Sequence, residues 1–239
     1  MFCAFISHSI LLVLLVVLAP ASSAIEIIGD ATISQQLKDS FGDEARDMVK
    51  AIGAAWDVSA EYAEFTAAFM VSSQHLPSSE EFQGFTSQNK YWNSDNTIHR
   101  IQWVPEVSNT NRWSFEAQAG QVIFSYNATG GRVPKRANSS AIYYPILYCA
   151  PLGQALIGLD LSDGAQGDAI SAIRRAKALG QPSAATPFRL RAPTAPGGFD
   201  SAATLFVPVF APAAPPGPAG EFLGSVASVV LLQAGFDRI

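Results

Sequence analysis

From Ala31 to His75 the apolar positions recur at helical spacing. Ile33, Leu37, Phe41, Met48, Ile52, Ala55, Ser59, Tyr62 and Phe69 follow one another mostly at steps of three or four, the period that stacks side chains on one helix face. The stretch has no proline, and glycine only at positions 42 and 53. The pattern therefore predicts a helix of roughly thirty to forty residues, capped at Asp30 or Thr32, with one permitted break near Gly53 and an end at Pro77. Two arrangements satisfy it: a pair of antiparallel core helices, or a single stalk. A second helix start is written in Ser78-Ser79-Glu80-Glu81-Phe82, with serines to cap and acids to meet the positive end of the helix dipole.

Beyond Ile98 the pattern changes. Ile101–Val104, Val122–Tyr126, Ala141–Tyr148, Thr204–Phe210 and Gly224–Leu232 are short, aromatic and β-branched, which predicts strands. Asn127–Ser140 reads as a polar loop, and Pro193–Pro218, with seven of the 15 prolines, as mostly loop. Ala165–Leu179 reads as a helix with Ile170, Ile173 and Ala176 on one face and Gly180 in the stop position. Helices first and an antiparallel sheet afterwards make the class α+β.

The first 24 residues carry a different signal. Ile10–Ala19 is an uncharged apolar run followed by Pro20 and the small residues Ala21–Ala24. Alone it has the length of a signal peptide's apolar region; with Met1–Ser9 included it approaches a membrane span. Cleaved or kept, it places the remainder outside the cytoplasm, extracellular, lumenal or periplasmic. The sequons Asn127-Ala-Thr129 and Asn138-Ser-Ser140 agree, making Asn127 and Asn138 glycosylation candidates.

Composition narrows the function. The 239 residues are 49% hydrophobic and carry a net charge of −5, with no basic stripe for nucleic acid. Cys3 and Cys149 are the only cysteines, so the chain beyond the leader has no internal disulfide and no thiolate cluster. No catalytic motif stands out. His75 and His99 lack the spacing that sets two imidazoles on one helix face, no nucleophile elbow or phosphate loop occurs, and Glu106 and Glu116 are an unplaced carboxylate pair. Neither a cofactor nor a resident metal is implied, and the region is read as a binding module, not an enzyme. Arg112 and Glu116 are spaced for a structural ion pair.

The ordered blocks carry more than any one of them. Ile101-Gln-Trp-Val-Pro-Glu-Val107 with Arg112, Phe115 and Glu116 is followed by Tyr144-Pro-Ile-Leu-Tyr148 and Gly158-Leu-Asp-Leu161. Then come Ala169–Gly180, Thr186-Pro-Phe-Arg-Leu190 and Phe206-Val-Pro-Val-Phe210. Together, over roughly Phe65 to Phe236, they resemble the CHASE domain, the extracytoplasmic sensory module of receptor histidine kinases and nucleotide cyclases.

The resemblance implies a membrane segment at 1–24, a stalk helix over 25–76 and a PAS-like sensor lobe over 77–239, working as a homodimer attached to the membrane through the N-terminal segment. Gly220–Ala227 resembles the strand leading into a second, membrane-proximal lobe, most of which the chain would then lack, as a fragment without its output domain. The expected partner is a small molecule in an apolar pocket. Pocket candidates are Tyr143, Tyr148, Asp168, Thr186, Phe188, Arg189, Thr204 and Phe206. Cytokinins are the family's best-known ligands, but the positions matching their aspartate and threonine contacts hold Ala169 and Phe206, which argues against recognition by the same contacts. A stand-alone secreted or anchored small-molecule-binding protein is the alternative reading.

Overall fold

Two helices open the described part of the chain: α1, Ala31–Ser72, and α2, Ser79–Ser87. The computed structural model describes residues 31–72, 76–88, 98–127, 129–137, 141–151, 153–163, 168–191, 199–212 and 220–231; within them the side chains of 31–41, 44, 48, 51, 163, 189–191 and 199–200 are outside the description. The leader, His75 and Asn138 fall outside these residues. The chain divides into two units, Met1–Gly53 with Arg238–Ile239, and Ala54–Asp237. In the first unit, α1 carries exposed ion pairs, Arg46 with Asp43 and Lys50 with Asp47. The helix runs to Ser72 without a break at Gly53.

The second unit is built on one antiparallel sheet. Its strands are β1 (Ile98–Pro105), β6 (Tyr148–Ala150), β7 (Ser183–Ala184), β8 (Phe188–Arg191), β9 (Phe199–Phe210) and β10 (Phe222–Leu231). The order across it is β6-β1-β10-β9-β7, with β8 also pairing β9. The last strand in sequence is thus central in space, hydrogen-bonded to β1 on one side and β9 on the other. The segment expected to lead into a second lobe, Gly220–Ala227, supplies the inner strand of this one. Covered on both faces, β10 is buried from Gly224 to Val230, which explains its nearly unbroken apolar run.

Shorter elements decorate one end. Strands β2 (Val107–Ser108) and β5 (Ile142–Tyr143) form a two-stranded ladder, and α3 (Arg112–Ala119) follows β2. Strands β3 (Phe124–Tyr126) and β4 (Arg132–Pro134) form a hairpin; β3 falls in the expected strand Val122–Tyr126, and β4 inside the stretch expected to be loop. Ala141–Tyr148, expected as one strand, is split. Pro145 has no N–H to give a ladder, and around it the chain leaves β2 at Tyr143 and joins β1 at Tyr148. The proline-rich stretch, expected as mostly loop, holds the whole of β9. Pro208 is tolerated there because β7 pairs only up to Phe206, so its missing donor falls on an unflanked edge.

Local chemistry fixes the helices. Ser78 Oγ accepts from Glu81 N at 3.2 Å and Glu81 Oε2 accepts from Ser78 N at 2.7 Å, a reciprocal capping box that starts α2. Helix α4 (Ala169–Leu179) ends at Gly180 with φ of 62°, a left-handed stop that a side chain disfavours. Its buried face is Ala169, Ala172, Ile173 and Ala176. Ile170, expected on that face, is only half-buried.

Each face of the sheet has its own core. Tyr62, Ala63, Ala67 and Met70 of α1 and Phe82 of α2 pack with Ile101, Trp103, Tyr148, Val207 and Val226. On the opposite face α4 packs with Val104, Ile146, Cys149, Phe206 and Ala227.

Candidate ligand-binding face

Strand alternation decides which side chains meet. On the α4 side, Cys149, Gln102, Ala227, Phe206 and Ser183 form one row across the sheet, each the registered partner of the next. Ser225 partners Val104 one row along, and Thr204 partners Val229 one row the other way. Alanines on α4 and on β10 leave that row bordered by little side-chain bulk.

This face buries polar groups. Gln102, Thr204 and Ser225 are each 0% exposed. Gln102 Nε2 lies 4.0 Å from Cys149 Sγ, a long contact, while Gln102 Oε1 and Ser225 Oγ have no hydrogen-bond partner. A buried polar atom left unpaired costs about 1–3 kcal/mol. Burial also pushes the Cys149 thiol pKa up, so it stays protonated and unreactive. The chemistry on offer is a carboxamide oxygen, the Ser225 hydroxyl and a neutral thiol beside the Phe206 ring.

The expected pocket residues divide between the two faces. Thr204 and Phe206 lie on the α4 side, and Phe188, paired with Ala202, shares their orientation and is half-buried. Asp168 occupies the N-cap position of α4 without a side-chain capping bond, and its backbone N–H donates to Thr186 Oγ1 at 3.0 Å. These two thus meet at the start of α4. Arg189 pairs with Ser201 through its backbone; its side chain is outside the description. Tyr143 and Tyr148 belong to the core under α1 and α2. Tyr148 Oη donates to Pro77 O at 2.6 Å, and Tyr143 lies beneath the Arg112 guanidinium, 5.3 Å from ring centroid to Cζ.

Gln102 and Ser225 were not among the sequence candidates. Each is a polar residue inside an apolar strand, and such a residue reads as solvent-facing unless both faces of the sheet are covered. Two shallow concavities among the described residues lie elsewhere, one beside the β3–β4 hairpin and one on α1 at Ala45–Lys50.

Other charged residues are committed to structure. Arg112 Nε donates to Glu116 Oε1 at 2.8 Å and Nη2 to Lys135 O at 2.7 Å, while the same Glu116 oxygen accepts from Ile123 N. This ties α3 to the hairpin. Glu106 accepts from Lys177 Nζ at 2.8 Å and from Tyr144 Oη at 2.9 Å. The two glutamates thus serve different anchors. Asp160, fully buried, accepts from Lys135 Nζ, Ser162 and Tyr144 N. No cluster of three metal-ligating side chains occurs among the described residues, and none of their helices is long and apolar enough to cross a membrane.

Known proteins were compared at three levels. No curated protein matches the chain. A solved structure named Methyl-accepting Chemotaxis protein X aligns at 12% identity over 87% of this chain and 67% of its own, with a TM-score of 0.36. The family model of the CHASE domain matches residues 76–238, a span that takes in α2, every strand and α4. The chain belongs to the CHASE family of sensory domains.

Proposed function

We propose that the sheet face under α4 is where a small molecule is sensed, and that the chain is the extracytoplasmic input region of a transmembrane receptor with a histidine kinase or nucleotide cyclase output. Family membership supports a sensory role. The observation that carries the site is the pair of unpartnered buried atoms, Gln102 Oε1 and Ser225 Oγ, on strands two residues of one ladder apart. A ligand that donates to the first and exchanges a hydrogen bond with the second removes a cost the free protein bears.

The strand order, with the last strand central, supports a PAS-like lobe. In this reading α1 is a stalk, the N-terminal segment attaches it to the membrane, and a homodimer carries the signal. Ligand binding acts through the sheet. Ser228, three residues beyond Ser225 on the same strand, bonds Ser59 of α1 across the opposite face at 2.6 Å, so a shift of β10 is passed directly to the helix.

A thermal-shift screen of neutral heterocycles, amino acids and carboxylates tests the site. A true ligand at about a hundred times its Kd stabilises by ~2.7 kcal/mol, and Gln102→Met abolishes that gain while the protein stays folded. A ligand whose stabilisation survives both Gln102→Met and Ser225→Ala binds elsewhere and defeats the assignment.

A further inference from the structure

The row that carries Gln102 is roofed unequally. Helix α4 lies over β9 and β7 and is fastened along its length. Asp168 N donates to Thr186 Oγ1 at its start, Arg175 Nη2 to Ala184 O at 2.8 Å in its middle, and Lys177 Nζ to Glu106 near its end. At the β6 edge the cover is a single 3-10 turn, Gln154–Leu156. It lies directly on the thiol: a side chain on Gly153 would begin 3.0 Å from Cys149 Sγ and 3.7 Å from Leu156 Cδ1. Cys149 is the registered partner of Gln102, so Gln102, whose Oε1 has no hydrogen-bond partner, is the next residue inward.

The β3–β4 hairpin holds that turn by one atom. Ala155 O accepts from Arg132 Nη2 at 2.8 Å and from Tyr126 Oη at 3.2 Å. Gln154, Ala155, Arg132 and Tyr126 are all exposed, so water competes for these bonds and each contributes little. The hairpin side is rigid. Arg132 Cζ lies 4.7 Å from the Phe124 ring centroid and its Nη1 donates to Gln121 Oε1 at 3.1 Å, while the Tyr126 ring meets Phe124 edge-on at 5.5 Å. Asn127, exposed, closes the hairpin through its N–H to Gly131 O at 2.9 Å. Beyond the turn the chain is pinned again at Gly158, whose N donates to Ile146 O at 2.8 Å and whose O accepts from Phe124 N at 3.0 Å. The movable piece is short, bounded by β6 on one side and Gly158 on the other.

We propose that the turn Gln154–Leu156 is the gate of the ligand-binding face and that Arg132 and Tyr126 are the clasp that keeps it shut. Release of the two bonds on Ala155 O lets the turn swing off Cys149 Sγ and admits a small molecule at the β6 edge, with α4 and the sheet left in place. Local openings of this kind cost less free energy than unfolding, and a segment that must open sets the rate of entry. The proposal rests on the ligand-binding reading of this face and names the way into it.

Alkylation of Cys149 by iodoacetamide measures the opening with no ligand present, read on the full chain by peptide mass spectrometry so that Cys3 is counted separately. In the wild type the rate is expected to stay nearly flat in urea well below the unfolding transition, because a local opening exposes little surface. Arg132→Met is expected to raise the rate about fivefold and Tyr126→Phe about threefold, the size of one exposed hydrogen bond each, and more than any loss of global stability accounts for. Lys177→Met, which unfastens α4 instead, is expected to leave it unchanged. A rate that climbs along the global unfolding slope, that ignores both clasp variants, or that rises as much in Lys177→Met as in Arg132→Met overturns the gate. Those outcomes leave the ligand site standing, since that reading is decided by the thermal-shift screen with Gln102→Met and Ser225→Ala.

Discussion

The two faces of the central sheet are both fully covered, but with different chemistry. Toward α1 and α2 the sheet presents large interlocking groups: Trp103 and Tyr148 meet Tyr62, Met70 and Phe82. The polar atoms there mostly have partners. Tyr62 Oη donates to Thr86 O at 2.8 Å, Tyr148 Oη to Pro77 O, and Ser59 to Ser228, the Trp103 indole N–H being the exception. Toward α4 the sheet presents Gln102 and Ser225 beneath a helix that packs through alanines. One face is arranged for stability. The other retains polar capacity that the fold does not use, which is what a recognition surface requires.

The largest test of this contrast is truncation of the aromatic face. Phe82→Ala is expected to cost about 3–5 kcal/mol in urea unfolding, since Phe82 is 0% exposed and packs 5.4 Å from the Tyr148 ring. On the α4 face Gln102→Met is expected to leave stability unchanged or raise it by about 1 kcal/mol, because it removes an unpaired acceptor and keeps the volume. A loss as large as that of Phe82→Ala would erase the distinction between the faces.

Intermediate in size is the link between strand and helix. Ser59→Ala strands the Ser228 hydroxyl and is expected to cost about 1–3 kcal/mol. Adding Ser228→Ala is expected to recover much of that, and the double-mutant cycle measures the coupling. Additive losses would show that the hydroxyl pair does not couple β10 to α1.

Alkaline titration probes the buried phenols. Burial pushes the pKa of Tyr62 up, and burial together with the Glu106 carboxylate does the same for Tyr144. The folded state therefore holds phenolic protons that the unfolded chain releases near pH ~10. Stability is expected to fall as pH rises above that value, less steeply in Tyr62→Phe and Tyr144→Phe than in wild type when followed by circular dichroism. The smallest effect concerns Cys149. Buried, with its thiol pKa raised, it is expected to react with a thiol reagent only as the α4 face opens, and a ligand on that face slows the reaction further. A rate matching that of an exposed cysteine would contradict the closed face.

Much of this molecule is legible along the chain. The period of three to four from Ile33 to Phe69 specifies α1, Ser78 with Glu81 specifies the start of α2, and Gly180 specifies the end of α4, because each depends on atoms a few residues apart. Asp168 and Thr186 were named as candidates from their blocks, but only folding makes them neighbours. Local pattern found β3 but gave a loop where its partner β4 stands, and one strand where Pro145 divides two. The place of Gly220–Ala227 in the sheet was not legible because strand order is a long-range property: the pairing of β10 with both β1 and β9 is invisible in its own residues. The division of the candidates follows from the same cause. Tyr148 and Phe206 look alike in sequence, as aromatics in apolar strands, and alternation along two strands of one sheet, β6 and β9, sends them to opposite faces. Covering both faces then turned Gln102 and Ser225 from apparent surface residues into buried, unpaired ones. Helix periodicity and capping are local and were set by the sequence itself; which polar groups lost their water was decided only by tertiary packing, because burial depends on what arrives from the far end of the chain.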